Sequence, residues 1–239
     1  YRIYDNMEAI YQYNFGKGTA SYTGSNRFSI NYFTLQQHRL ELKGSNYFIR
    51  GYATLEDSHD SYNGKGLGQL LNKTWVRDLS GNVVPESQAD DMWFTRYEEA
   101  FNGNIGGVTA ASHTAARTFA DEGRYLPGSP AFETEKARLI GIQGAGILSQ
   151  SNLYHVEGQY DFSKQIKVLE LVAGGNFRRF DMFTNGTLFD DQGGRIGINE
   201  GGAFVQLGKK LLSEKLKLGA SIRYDKNQNF DGRLTPRAS

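Results

Sequence analysis

Regular alternation of apolar and polar residues is the feature that most limits what this chain can fold into. The clearest run covers residues 215–225. Its apolar positions are Leu216, Leu218, Ala220, Ile222 and Tyr224. Its polar positions include Lys217, Arg223 and Asp225. Because successive side chains of a β-strand point to opposite faces, this run predicts a strand with one apolar and one polar face.

The same period of two recurs along much of the chain. It is present in residues 8–15, 49–55, 154–162, 169–178 and 202–208, and less cleanly in residues 32–43. We count about eight predicted strands. The fold class that follows is all-β, with antiparallel strands joined in sequence order.

Residues 57–149 depart from this pattern. Leu67, Leu70 and Leu71 follow helical spacing, as do Trp93, Tyr97 and Phe101. An alanine-rich run at 110–122 has Thr109 as its predicted N-cap. The chain therefore divides into strands at 1–56, a long loop with short helices at 57–149, and strands at 150–239.

The predicted connections alternate in length. Short turns fall at 44–46, 163–165 and 213–214, whereas longer connections fall at 57–149, 181–200 and 227–232. If each strand runs once from one end of the sheet to the other, all the short turns lie at one end and the long loops at the other. That asymmetry is typical of outer-membrane barrels, with periplasmic turns and extracellular loops. The sequence therefore predicts part of a large transmembrane antiparallel β-barrel.

Composition is compatible with this prediction and excludes several alternatives. Lysine and arginine number 27 against 26 aspartates and glutamates, so the net charge is only +1 and does not favour nucleic acid as a partner. The absence of cysteine excludes disulfides and thiolate metal sites. No stretch approaches the roughly 18 apolar residues of a membrane-spanning helix. A polar mean hydropathy of −0.55 suits strands that are apolar on one face only.

Two runs resemble segments of a known family. Residues 222–237 read IRYDKNQNFDGRLTPR, and residues 41–52 read ELKGSNYFIRGY. Both are similar to barrel segments of large TonB-dependent outer-membrane receptors, and residues 56–63 look like the start of their long loop. The similarity extends over nearly the whole chain. A SusC-like relationship, with glycan or peptide substrates, is compatible with these motifs.

The resemblance implies further properties. In this family a barrel of roughly 22 strands encloses an N-terminal plug domain, and the periplasmic protein TonB pulls on the plug. We recognise neither plug nor TonB box in the chain and expect an internal fragment of a longer receptor. The implied location is the outer membrane, as a multi-pass β-barrel. The implied partners are membrane lipid, the protein's own plug domain, TonB, and a SusD-like surface lipoprotein or other outer-membrane assembly.

Two groups in the long loop are candidates for ligand binding. Asp57, His59 and Asp60 combine carboxylate and imidazole groups, which also bind metals. The alternative is a polar loop entrance, and we predict no metal site. The second group consists of the aromatic residues Trp75, Trp93 and Tyr97, which could stack on a flat ligand or pack a small loop core.

Six charged residues fall on the predicted inner face of the barrel. They are Arg50, Glu56, Glu170, Arg178, Lys217 and Arg223. A barrel lumen requires paired polar residues to hold a plug, because unpaired buried charges are costly. We therefore predict that these residues face the lumen or the plug.

No arrangement of residues predicts catalysis or a cofactor. Asp225, Asn227, Asn229 and Asp231 alternate as in a calcium loop, but Phe230 and Pro236 stand where an EF-hand needs Gly and Glu. Dinucleotide-binding, phosphate-binding and hydrolase motifs are absent from the sequence. We expect a non-enzymatic protein without a cofactor.

Energy-coupled uptake of a ligand by the TonB-dependent mechanism is the leading functional hypothesis. A barrel that serves as a structural or partner-binding component of a larger outer-membrane assembly is the alternative. A third hypothesis is a soluble all-β carbohydrate-binding or hydrolase domain, which the one-sided loop lengths disfavour.

Overall fold

The computed structural model describes residues 2–4, 6–141, 144–213 and 215–239. Within them the chain forms ten strands and four α-helices. The strands are β1 Arg2–Tyr4, β2 Met7–Thr23, β3 Arg27–Gly44, β4 Tyr47–Asp57, β5 Tyr62–Asn63, β6 Asn152–Asp161, β7 Glu170–Met182, β8 Ile196–Leu211, β9 Leu216–Asn227 and β10 Phe230–Ala238. The helices are α1 Gly64–Leu71, α2 Ala89–Phe101, α3 His113–Ala120 and α4 Pro130–Ile140.

The strands form one mostly antiparallel sheet in the order β1-β2-β3-β4-β6-β7-β8-β9-β10, with β5 paired to β3. Eight of the ten strands found in the described residues have nine residues or more. The sheet does not close on itself within this part of the chain. An antiparallel all-β framework is therefore confirmed, and the described sheet is open.

The connections correct one part of the sequence prediction. The long connections at 58–151 and 183–195 lie at one end of the sheet, as predicted. The predicted long connection at 227–232 is instead a tight turn, because β9 ends at Asn227 and β10 begins at Phe230. The Asn227 side chain accepts the N–H of Asn229 at 2.8 Å, so the chain reverses over two residues. A second tight turn, at 24–26, lies at the same end.

The predicted short turns are of two kinds. Ser45 and Asn46 form a two-residue turn between β3 and β4. The connection from β6 to β7 is longer than predicted and contains a 3₁₀ turn at Phe162–Lys164. In the turn predicted at 213–214, Glu214 lies outside the described residues.

The chain divides into two compact units. The strand unit comprises Tyr1–Gly18, Tyr32–His59 and Ser149–Ser239. The loop unit comprises Thr19–Asn31 and Asp60–Leu148. None of the described helices is both long and apolar enough to cross a membrane.

Alternation along the strands gives the sheet two chemically different faces. We call them the apolar face and the polar face. Register places Leu42 opposite Ile49 and Val205 opposite Ile222, and all four lie on the apolar face. Their side chains are 37–55% exposed. The polar face carries Arg50 opposite Glu157, with Asn176 next along the same row.

Capping residues position the helices of the loop unit. The Asn63 side chain accepts the N–H groups of Lys65 and Gly66, both at 3.1 Å, and so begins α1. Helix α3 begins at Ser112, whose hydroxyl accepts the N–H of Ala115, and not at the predicted Thr109. Helix α4, which the sequence analysis missed, is capped by Ser129 with Pro130 in its first turn.

Apolar burial is concentrated in the loop unit. Within the described residues the buried apolar side chains are Leu67, Trp75, Val76, Ala89, Ala100, Ala116, Ala120, Leu139 and Ala145, and all belong to it. They form two clusters, one around Leu67 and Leu139 and one around Trp75 and Val76. The loop unit therefore has an apolar core of its own, whereas the strand unit buries polar residues such as Glu41 and Asp191.

Replacement of Leu139 by alanine tests this core. Leu139 is 4% exposed and packs with Leu67 between α4 and α1. We expect Leu139→Ala to destabilise the loop unit by about 2–5 kcal/mol, from lost burial and the cavity left behind. Leu126→Ala is the matched control, since Leu126 is 67% exposed and its loss should change stability by less than about 0.5 kcal/mol. Hydrogen exchange of the α1 and α4 amides measures both, and equal effects would contradict the assignment.

Candidate functional site

A network of paired charges crosses the polar face. Arg50 on β4 donates from Nε to Glu157 Oε1 on β6 at 2.8 Å. Its Nη1 lies 3.8 Å from Glu41 Oε2 on β3, and Glu41 also pairs with Arg39. The Glu41 side chain is only 9% exposed. A carboxylate this buried requires a cation nearby, and the two arginines supply it.

The network continues on the strands that follow. Arg223 on β9 donates to Asp225 at 2.8 Å and from Nη2 to Asn176 Oδ1 on β7 at 2.7 Å. Strand β8 lies between them and presents Gly202 at this level, opposite Asp225. A Cβ at position 202 would lie 2.3 Å from Asp225 Oδ1 and 2.8 Å from Arg223 Nη2, so a side chain there would force the ends of both side chains to shift.

Strand parity and register place the six predicted lumen residues on the polar face. Arg178 lies 3.6 Å from Glu200, and Lys217 lies 2.7 Å from Glu170. Glu56 accepts the hydroxyl of Ser149 at 3.1 Å. The sequence analysis missed the partners Glu41, Glu157 and Glu200, which only the strand register reveals.

The predicted group of Asp57, His59 and Asp60 has structural contacts at the base of the long loop. Asp57 accepts the N–H of His59 at 2.8 Å and the side-chain amide of Gln150 at 3.0 Å. His59 Nε2 lies 3.2 Å from the Thr34 hydroxyl. The main-chain carbonyl of Asp60 accepts from Asn31. No group of three or more potential metal ligands occurs within the described residues.

Trp93 and Tyr97 belong to an aromatic row between α2 and α3. Their rings stack at 5.7 Å, and Tyr97 and Phe101 both stack on His113 of α3. The Trp93 indole N–H donates to Asp121 at 2.9 Å. These contacts join the two helices, so Trp93 and Tyr97 already have partners within the loop unit.

Arg96 is a buried cation in the loop unit that the sequence analysis missed. Its side chain is 2% exposed. It donates to the carbonyls of Asp78 and Phe119 at 2.7 and 2.8 Å and to Glu122 at 3.0 Å. It therefore connects α2 to the segments at 78 and 119–122.

Trp75, the third predicted aromatic, lies beside a cavity of about 470 Å³ in the loop unit. The cavity is lined by α1, by the start of β3 and by residues near Tyr125. Its volume falls within the roughly 300–1,000 Å³ typical of small-ligand sites. The structure therefore places the predicted ligand-binding residue Trp75 at a cavity of ligand size, and Trp75 and Trp93 also line a smaller cavity of about 250 Å³.

Asp191 organises the loop between β7 and β8. It is 2% exposed and accepts the N–H of Gly186 at 2.7 Å and the Thr184 hydroxyl at 2.9 Å. Burial acts to raise the pKa of Asp191, but the N–H groups of Gly186 and Thr184 outweigh it and hold that pKa below the ordinary aspartate value. The ionised carboxylate thus shapes this loop.

Comparison with known proteins adds no family: no family model, no curated protein and no solved structure matches the chain.

A double-mutant cycle tests the charge network. Arg50→Met leaves Glu157 without its nearest cation, and we expect a loss of about 1–3 kcal/mol. Adding Glu157→Gln removes the uncompensated charge. The double variant should therefore be less destabilised than the sum of the two single variants, with a coupling energy of about 0.5–3 kcal/mol. Urea unfolding followed by circular dichroism measures the cycle.

Lys217→Met is the control for this cycle. The Lys217 side chain is 59% exposed and that of its partner Glu170 is 42% exposed. Removal of this pair should lower the free energy of unfolding by less than about 1 kcal/mol. Strict additivity of the Arg50 and Glu157 variants would contradict the network.

Acidification tests the role of Asp191. Because its pKa is lower in the folded loop than in an unfolded chain, its contribution to stability is fully present above the ordinary aspartate pKa of about 3.9. That contribution is lost only as the pH falls through the lower pKa that Asp191 has in the folded loop. We expect pepsin to cut residues 183–195 of the wild type only at the acidic extreme, and to cut Asp191→Asn throughout the acidic range. Asp190→Asn, at an exposed neighbour, should behave like the wild type; identical cleavage of all three contradicts the assignment.

Proposed function

We propose that this chain forms part of the wall and an extracellular loop of an outer-membrane β-barrel that takes up a ligand in the manner of a TonB-dependent receptor. The observation that carries the proposal is the polarity of the sheet. Apolar side chains at alternate positions are exposed, and charged side chains on the other face are paired.

This arrangement is the reverse of a soluble sheet, which turns its apolar face towards a core. Here Leu218, Ile222 and Tyr224 of β9 are 46–48% exposed. Exposed apolar surface of this extent needs a cover, and lipid covers it in a membrane barrel.

Strand lengths also support the proposal. A strand tilted by about 45° crosses a bilayer with about 9–11 residues. Strands β4, β6 and β9 have 11, 10 and 12 residues. Each is long enough to cross once. Strands β2 and β3, with 17 and 18 residues, are longer than a crossing needs.

The polar face suits the wall of a lumen that holds a plug. Arg50, Arg178 and Arg223 carry fixed positive charge there, each with a carboxylate beside it. In this proposal they make exchangeable contacts with the plug, which TonB pulls from the periplasm. The open edge strand β10 pairs with further barrel strands, because an exposed edge otherwise invites aggregation.

The loop unit serves as the ligand-binding or lid-binding part in this proposal. It has its own apolar core and a cavity beside Trp75. On a SusC-like receptor this unit would also face a surface lipoprotein.

Membrane fractionation combined with surface proteolysis tests the proposal. We expect the protein in the outer-membrane fraction of its native cell and cleavage within residues 58–151 by a protease added to intact cells. Uptake of its ligand should stop when TonB is deleted. A soluble protein, or a loop cut only from the periplasmic side, would overturn the proposal.

A further inference from the structure

The cavity of the loop unit combines aromatic walls with positive charge. Its aromatic lining residues are Phe28, Tyr62, Trp75, Tyr125 and Phe132. They come from distant parts of the sequence. Phe28 lies in β3, Tyr62 in β5 and Trp75 after α1, whereas Tyr125 precedes α4 and Phe132 lies in its first turn. Aromatic rings gathered around a cavity offer flat, apolar surface on which a ring can stack.

The charged residues that line this cavity are both arginines, Arg27 and Arg124. No aspartate or glutamate lines it in the part of the chain that the structure describes. The Arg27 side chain makes no hydrogen bond or ion pair within the described residues. Arg124 lies 3.7 Å from Asp121, and that carboxylate also pairs with Arg117 at 3.4 Å. The cavity therefore has an excess of positive charge.

Polar groups and free space complete the site. Ser21 and Asn72 also line the cavity and can donate hydrogen bonds, and Ser29 lines it with a hydroxyl that donates to Asn31 Oδ1 at 3.3 Å. Gly68 of α1 lines it too, and a Cβ there would meet no atom within 4 Å. A Cβ added at position 68 would therefore have open space around it at the cavity wall.

We propose that this cavity binds a small organic anion whose body is a planar or ring-shaped apolar group. Arg27 and Arg124 hold the anionic group, since guanidinium matches carboxylate and phosphate geometry. The aromatic walls hold the ring. As the ligand class of an uptake receptor this rests on the proposed function, but the binding itself does not require transport.

Matched probes test the charge requirement. The probes are 2-naphthoate, 2-naphthyl phosphate and the neutral 2-naphthamide, titrated by calorimetry against the full-length protein in amphipol. We expect both anions to bind about tenfold or more tightly than the amide, because a charged hydrogen bond contributes that much. The preferred anion identifies carboxylate or phosphate as the natural group. Equal binding of all three overturns the proposal.

Substitutions locate the site. Arg27→Met and Arg124→Met should each weaken anion binding about tenfold and leave amide binding unchanged. Lys65→Met is the control, because it removes a positive charge from α1 at an exposed position that does not line the cavity. An equal loss in Lys65→Met would mean that only net charge matters, which contradicts the proposal.

Filling the cavity gives a test that preserves the fold. Gly68→Leu should abolish binding of all three probes, whereas Gln69→Leu, at the exposed neighbouring position, should not. Unchanged binding in Gly68→Leu would place the site elsewhere and overturn the proposal. Binding at this cavity without TonB-dependent uptake would support this inference and reject the proposed function. TonB-dependent uptake without binding at this cavity would support the proposed function and reject this inference.

Discussion

Charge pairing across neighbouring strands allows this sheet to keep its ionised residues on one face and its apolar residues on the other. Arg50 reaches carboxylates on both flanking strands, and Arg223 reaches over Gly202 to Asn176. Each arginine would be costly on a partly buried face without these partners. Most of the charged residues therefore lie on the polar face. The low charge of the apolar face supports the proposed contact with lipid.

The loop unit is stabilised mainly by apolar burial, unlike the sheet with its paired charges. Its helices bury leucine, tryptophan and alanine side chains, and Arg96 links its segments through main-chain carbonyls. Such a core gives a long connection a defined shape, which a binding role requires. A loop of this length without a core would more commonly be disordered.

Alternation along single strands predicted much of the sheet. The faces of β9 and the shared face of Arg50, Arg178 and Arg223 followed from period two alone. Cross-strand partners such as Glu157 did not, because register depends on turn geometry that one strand does not encode. The tight turn after Asn227 was missed because its polar residues resemble a loop. The cavity beside Trp75 combines residues 21–29 with residues 62–132, which no local pattern brings together.

Spin-label accessibility along β9 would test the central claim most directly. The chain has no cysteine, so single cysteines can be placed at each position from Leu216 to Asn227 in the full-length protein in lipid. The two-faced barrel wall predicts collision with oxygen at Leu218, Ile222 and Tyr224, and collision with a water-soluble nickel complex at the alternating positions. Equal access of the nickel complex to both faces would contradict a lipid-facing apolar surface.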